Sequence, residues 1–259
     1  MNIAVLLKEV PDTYGDRDLN LETGLTDRSG DVVADEVCER AVEAAMRLKE
    51  ARGDEETIVD LITVGPETAH ASVRKGIAMG ADDAYIIADD TLLGADVTLT
   101  AEVLAAALRN KDYDLVVLGT ASSDGGGGVM AGLLAEMLGW PAIANATEVT
   151  LNNDTVTATQ VSDHATLTLE AQLPALVAVS DEYPDARFPN FKGLMAAKKK
   201  ELHTLTLAEL GVDAEDFARP RAIMVDVEKR PARERGEIID YGPNAVGQLV
   251  DFLAEKHYI

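Results

Sequence analysis

Short apolar runs alternate with stretches of helical spacing through the first half of the chain. Residues 3–7 form a continuous apolar run, which predicts a buried strand. Residues 35–51 place Val37, Ala41, Ala44, Ala45 and Leu48 at the spacing of one helix face. Residues 57–64 predict a second strand. Gly65-Pro66 opens a helix that runs to about Met79 and stops at Gly80, with proline in the first turn, where its missing N–H costs nothing. Residues 84–88 predict a third strand, Asp96 caps a helix through Asn110, and residues 115–118 predict a fourth strand. A glycine-rich loop then feeds a helix over 129–138. Successive β-α units of this kind predict an α/β fold, a doubly wound and mostly parallel sheet with helices on both faces.

The pattern changes after Trp140-Pro141. Residues 146–151, 155–160 and 166–171 read as antiparallel strands, a small β extension of the main sheet. The first two are joined by Asn152-Asn153-Asp154, residues that tolerate a positive φ. Residues 173–179, entered through Pro174, return to the main sheet. An irregular stretch follows, with three acids, Pro184, Pro189 and a lone Arg187. Next come an apolar patch and the basic terminus Lys198, Lys199 and Lys200. Strand, apolar arm and basic end together suggest a docking device. Beyond it lie a short helix near 207–210, a charged passage over 213–236 and a final helix over about 244–256. The charged passage is either an extended tail lying on another subunit or a linker.

Length and charge narrow the function. A chain of 259 residues can bury a full core. No apolar stretch approaches the roughly 18 residues of a membrane span, and the N-terminus is charged too early for a signal peptide. Cys38 is the only cysteine, so no internal disulfide is available and a reducing cytoplasm is expected. The formal charge of −23 excludes nucleic acid as a natural partner, because phosphate binding needs a basic surface. The acids are scattered along the whole chain, as on a halophile-like surface that must stay solvated in strong salt.

The candidate chemistry centres on the loop after the fourth strand. Four consecutive glycines, Gly125, Gly126, Gly127 and Gly128, stand between a strand end and a helix start. Glycine lets backbone N–H groups approach a ligand, and a helix N-terminus adds partial positive charge, so phosphate is the natural guest. The spacing is neither a dinucleotide fingerprint nor a P-loop. A simple βα turn is the alternative reading. Lys8, at the end of the first strand, would serve a phosphate if the two loops are neighbours. Asp124 is placed to fix the loop by accepting from its backbone. The four histidines are dispersed, and Ser122 and Ser123 lie outside a nucleophile elbow. A carrier whose chemistry sits on a cofactor fits this set better than an acid–base enzyme.

Several segments, in order and with near-family spacing, resemble the electron transfer flavoprotein β subunit. They are NIAVLLKEVPDT at residue 2, CERAVEAAMRLKE at Cys38, VGPE at Val64, VRKGIAMGADDAY at Val73, YDLVVLG at Tyr113 and LLAEMLGWP at Leu133. LPALVAV at Leu173, followed by ARF and AAKKK, completes the series. The resemblance implies a Rossmann-like fold of the adenine-nucleotide α-hydrolase type over residues 1–200. Within it, 146–171 is the antiparallel insertion and 179–201 the partner recognition loop. An extension, 201–259, would pack on an α subunit.

The resemblance also implies a heterodimer in which the α subunit holds most of the FAD and this chain holds AMP or a second FAD. By position the nucleotide would touch Leu6 after the first strand. It would touch Asp35, Glu36, Val37 and Cys38 at the first helix start, and Val64 after the second strand. In the glycine loop it would meet Gly119, Thr120, Ala121, Ser122, Ser123, Asp124, the four glycines, Val129 and Met130. The family usually carries Asn-Pro where Asp35 and Glu36 stand; two acids there repel a phosphate but can bond a ribose or an adenine edge. Arg187 would pair with a carboxylate or lie near the flavin. Phe191, with Leu194 and Met195, would anchor a flavin dehydrogenase. The implied role is electron transfer from such dehydrogenases to a quinone reductase or other acceptor. Two other readings stay open: an electron-bifurcating β subunit with its own FAD and NADH site, and a stand-alone nucleotide-binding stress-type protein.

Overall fold

In the computed structural model, which describes residues 1–15, 18–53, 56–233, 235–236 and 238–259, the first apolar run becomes β1 (Asn2–Leu6). Ile3 and Val5 join one core layer, and Ala4 and Leu6 the other. A strand buried on both faces needs apolar residues at every position, which is why a continuous run marked it. A hairpin of β2 (Glu9–Pro11) and β3 (Val32–Ala34) interrupts the path to α1 (Glu36–Ala51). Then come β4 (Ile58–Val64), α2 (His70–Met79), β5 (Asp83–Ile87), α3 (Val97–Arg109), β6 (Leu115–Gly119) and α4 (Met130–Leu138). The second half adds β7 (Ala142–Asn152), β8 (Thr155–Val161), β9 (Thr166–Gln172), β10 (Ala175–Val179), α5 (Phe191–Lys199), β11 (His203–Leu205) and α6 (Leu207–Leu210).

Nine strands form one sheet in the order β11-β5-β4-β1-β6-β10-β7-β8-β9. All pairings from β11 to β7 are parallel, and β8 and β9 add antiparallel edges. The expected mixed α/β architecture is therefore present. From β1 the chain steps outward through β4 and β5, and α3 then carries it back to β6 on the other side of β1. Strand order reverses between β1 and β6. Buried residues of α1 and α2 lie in one core layer and those of α3 and α4 in the other. The chains leaving β1 and β6 thus diverge to opposite faces and open a crevice at the carboxyl edge, the usual ligand position in such sheets.

Local differences from the sequence expectation have local causes. Pro66 does not enter the helix: its ψ of 161° keeps it extended, and a short turn over Glu67–Ala69 precedes α2. β7 begins four residues earlier than expected, because its first part pairs parallel with β10 before the strand turns antiparallel to β8. Its exposed alanines carried too little apolar signal. Within 179–201 the apolar patch and the basic end form one helix, α5, which Asn190 starts by accepting from Gly193 N at 2.8 Å. The first part of the charged passage also packs on its own unit. Arg219 and Arg221 each reach Glu102 of α3 at 2.6 Å, and Ala222 N donates to Asp96 at 2.7 Å. Its charges are used in pairs. Glu234 of that passage lies outside the described residues.

The chain forms two compact units, 1–226 and 227–259. The second contains α7 (Ala245–Glu255), on which Val246, Leu249, Val250 and Phe252 are exposed. Among the described residues no helix is long and apolar enough to cross a membrane.

Candidate nucleotide site and docking surface

The β2–β3 excursion decides where the first helix begins. Glu9 is buried and accepts from Ser72 Oγ of α2 at 2.7 Å. The returning chain closes when Asp35 N donates to Lys8 O at 2.9 Å. Asp35 is buried with both carboxylate oxygens engaged. Oδ1 accepts from Val37 N at 3.0 Å as the α1 cap, and Oδ2 accepts from Ser123 N at 2.7 Å. It therefore fastens the glycine loop to α1. Glu36 is exposed and pairs with Arg40 at 3.1 Å.

Gly119 is needed at the end of β6 because a Cβ there would lie 3.2 Å from the Val37 carbonyl carbon and 3.3 Å from Cys38 N. The close approach buries Cys38. Burial first, and then the charge of Asp35, push its thiol up to about 12. Leu6 is buried in the layer shared with α3 and α4, while Val64 is half-buried at the end of β4.

Lys8 and the glycine loop are neighbours, but Lys8 already has a partner. Its Nζ lies 2.7 Å from Asp124 Oδ1 and 3.2 Å from Ser122 Oγ. Arg28, from the stretch between β2 and β3, places Nη2 3.1 Å from Asp124 Oδ2 and donates through Nη1 to Glu9 O at 2.8 Å. Gly125 N also donates to Asp124, at 2.6 Å, and Gly126 N to Ser122 O at 2.8 Å. Burial acts to raise the Asp124 carboxyl, but hydrogen bonds from Lys8 and Ser122 and the Lys8 charge hold it below the usual range. Thr120 N is bonded to Val179 O at 2.9 Å, and its hydroxyl meets Asn145 Oδ1. Ala121 is half-buried between these anchors.

Beyond Asp124 the loop is open. Gly125, Gly126, Gly127, Gly128 and Val129 are exposed, and Met130 is half-buried as α4 begins. Gly126 and Gly128 sit at φ of 60° and 64°, a region that side chains disfavour. Gly127 has no such requirement, and a Cβ there would meet nothing within 4 Å, so its lack of a side chain leaves space beside the loop. No side chain caps α4. Exposed glycyl backbone leading into an uncapped helix N-terminus fits an anionic phosphate. The residues present offer backbone donors there, with Lys8 and Arg28 offset by Asp124 and Asp35. Among the described residues no group of His, Cys, Asp or Glu is arranged to hold a metal ion.

The second candidate surface is α5. Phe191, Leu194 and Met195 recur at i, i+3 and i+4 on one exposed stripe; Phe191 is 79% exposed and Phe188 precedes it in the open. The opposite side of α5 is held to α2. A Cβ at Gly193 would collide with the Ala78 carbonyl oxygen, and Arg74 donates to the carbonyls of Ala197 and Lys200. Ahead of α5, Arg187 pairs with Glu43 at 2.7 Å and with Glu50, both on α1. Burial tends to raise the Glu43 carboxyl, but Arg187 and Arg47 hold it below the usual range. Of its two expected roles, Arg187 makes the carboxylate pair.

Two residues near the glycine loop escaped the sequence reading. Arg28 lies in a polar stretch with nothing local to mark it. Asn145 has a φ of 54° beside a register irregularity in the β10–β7 pairing. Asparagine is the residue that tolerates this region, a usable though faint signal.

The chain matches a family model described as the electron transfer flavoprotein domain over residues 23–210. Proteins named electron transfer flavoprotein subunit beta align along its length. The one from Mycobacterium tuberculosis is 39% identical over 264 residues, covering 100% of this chain and 99% of that protein. The Mycobacterium leprae protein is 40% identical over 265 residues, with 100% and 99% covered. The Bacillus subtilis protein is 33% identical over 259 residues, with 99% and 98% covered.

Proposed function

Because this chain belongs to the electron transfer flavoprotein family, among its β subunits, we propose that it is the nucleotide-binding half of an αβ electron carrier. One observation carries the reading: four exposed glycines lead into the uncapped N-terminus of α4 at the β1/β6 reversal. In this reading the backbone of Gly125–Gly128, Val129 and Met130 holds the phosphate of AMP. The nucleoside lies toward the ends of β1 and β4 and the start of α1, near Leu6, Val64, Glu36, Val37 and Cys38.

FAD, held mainly by the α subunit, supplies the redox chemistry when bound. This chain contributes scaffold, nucleotide and docking surface. A flavin dehydrogenase docks on 179–201, with Phe191 filling an apolar pocket of the partner. Of the extension, residues 227–259 lie on the α subunit, where the apolar residues of α7 find cover. Electrons leave to a quinone reductase or another acceptor, and the complex works in the cytoplasm.

Mass spectrometry of the complex isolated from its native source, with extraction of its cofactors, tests the whole reading. One FAD and one AMP per αβ pair is the expected result. Two flavins per pair would replace the simple carrier with the bifurcating subunit that binds its own FAD and meets NADH. Isolation of this chain without a flavin-holding partner would favour the stand-alone stress-type protein. The full-length match to β subunits argues against that outcome.

A further inference from the structure

Both cations beside the glycine loop are turned toward a carboxylate of the chain itself. The Asp124 side chain is 6% exposed, against 42% for Lys8 and 32% for Arg28. Asp124 thus sits like an internal anion between two bases, and Gly125 N donates to the oxygen that also faces Lys8. Drawing Lys8 or Arg28 toward a ligand would leave a nearly buried carboxylate undercompensated, which is costly. Formal side-chain charges around the loop cancel, Lys8 and Arg28 against Asp35 and Asp124.

What remains for a ligand is the open glycyl backbone and the α4 dipole, worth about half a positive charge. Such a cradle suits one phosphate. Each further phosphate adds negative charge where no cation is released and a fixed carboxylate already stands. Like charge placed against an unwanted ligand is an established route to specificity.

We propose that Asp124 counts phosphates: by keeping Lys8 and Arg28 engaged, it restricts the glycine loop to nucleotides ending in a single phosphate. The proposal rests on the nucleotide-site reading above and adds a selection between mono- and diphosphates.

The test is reassembly of the unfolded αβ complex in equal concentrations of AMP and ADP, at fixed ionic strength, with the retained nucleotides quantified by mass spectrometry. The wild-type complex should take up AMP over ADP by about tenfold or more, and Asp124→Asn should move the ratio toward ADP by roughly tenfold. Arg28→Gln should not move the wild-type ratio toward ADP, since it removes a cation and leaves Asp124 in place, and it should reverse much of the shift in the Asp124→Asn background, as expected of groups in one network. Where Asp124→Asn does not reassemble, Asp124→Ser, which keeps an acceptor for Gly125 N–H, takes its place. A variant that binds AMP with the wild-type ratio overturns the role of Asp124 alone. A wild-type complex that takes up neither nucleotide overturns the nucleotide reading and this selection with it.

Discussion

Asp35 Oδ2 accepts the backbone N–H of Ser123 at 2.7 Å, which makes one side chain the joint between α1 and the glycine loop. The other oxygen caps α1 through Val37 N. Asp35→Ala should remove the cap and strand a partly buried amide. Together these losses cost about 2 to 4 kcal/mol. Asp35→Ser should recover only the cap's share, because its hydroxyl is too short to reach across to Ser123. Urea denaturation of the three proteins checks the ordering. Equal stability of Asp35→Ala and wild type would remove the joint.

The Arg187–Glu43 pair gives the segment ahead of α5 a pH dependence. Despite burial, Arg187 and Arg47 hold the folded Glu43 carboxyl below its ordinary value of 4.5. Glu50 is lowered as well, chiefly by its hydrogen bond to Arg187. A depressed folded value means that the unfolded chain binds protons first as pH falls. The stabilisation is therefore complete above the unfolded value and lost as pH drops through the folded one. The margin in melting temperature of wild type over Arg187→Ala should therefore shrink between pH 6 and pH 3. Parallel pH profiles would show that the pair contributes nothing.

How much of this was legible depends on where the information sits. Strands buried on both faces, such as residues 3–7 and 115–118, declared themselves because every position must be apolar. The Gly125–Gly128 run declared itself by composition. Lys8 was singled out because it ends a recognisable strand, but Arg28, the second base on Asp124, was not. Nineteen residues lie between them, and the β2–β3 pairing helps to bring Arg28 back. The structural part that Asp35 plays was hidden because capping and ligand binding draw on the same residue types at a helix start. The three-residue strands β2, β3 and β11 were too short to show a period.

Gly193 allows α5 to lie directly on α2. A side chain there would run into the backbone oxygen of Ala78 rather than a movable side chain. Gly193→Ala should therefore push α5 outward and cost about 1 to 3 kcal/mol, despite the better helix propensity of alanine. Hydrogen exchange over 191–199 should speed up along with the loss in melting temperature. A stabilised variant would mean that α5 does not pack so closely.

Phe191 lies on the exposed stripe of α5, away from the Ala78 contact, so truncating it should leave the fold and bound cofactors unchanged. A side chain that fills a partner's pocket commonly costs 2 kcal/mol or more when cut to alanine, roughly thirtyfold in affinity. Phe191→Ala should raise the concentration at which the carrier half-saturates its dehydrogenase by about that factor, with flavin content intact. Unchanged turnover with the natural dehydrogenase would end the docking role.

The chain has 46 acids against 23 bases, a formal excess of 23 negative charges. Self-repulsion of that size works against the compact state, and it weakens as the screening length shrinks to about 3 Å at 1 M salt. The more buried pairs are screened less: Glu43 with Arg187, and Asp124 with Lys8 and Arg28, each place the carboxylate almost out of solvent. Added KCl should therefore relieve the surface repulsion while sparing these internal contacts, and the melting temperature should climb from low salt to 1 M. Sucrose, which strengthens burial without screening, separates a charge effect from a general solvent effect. A melting temperature that stays flat in KCl but rises in sucrose would show that the acidic surface imposes no measurable strain on the fold.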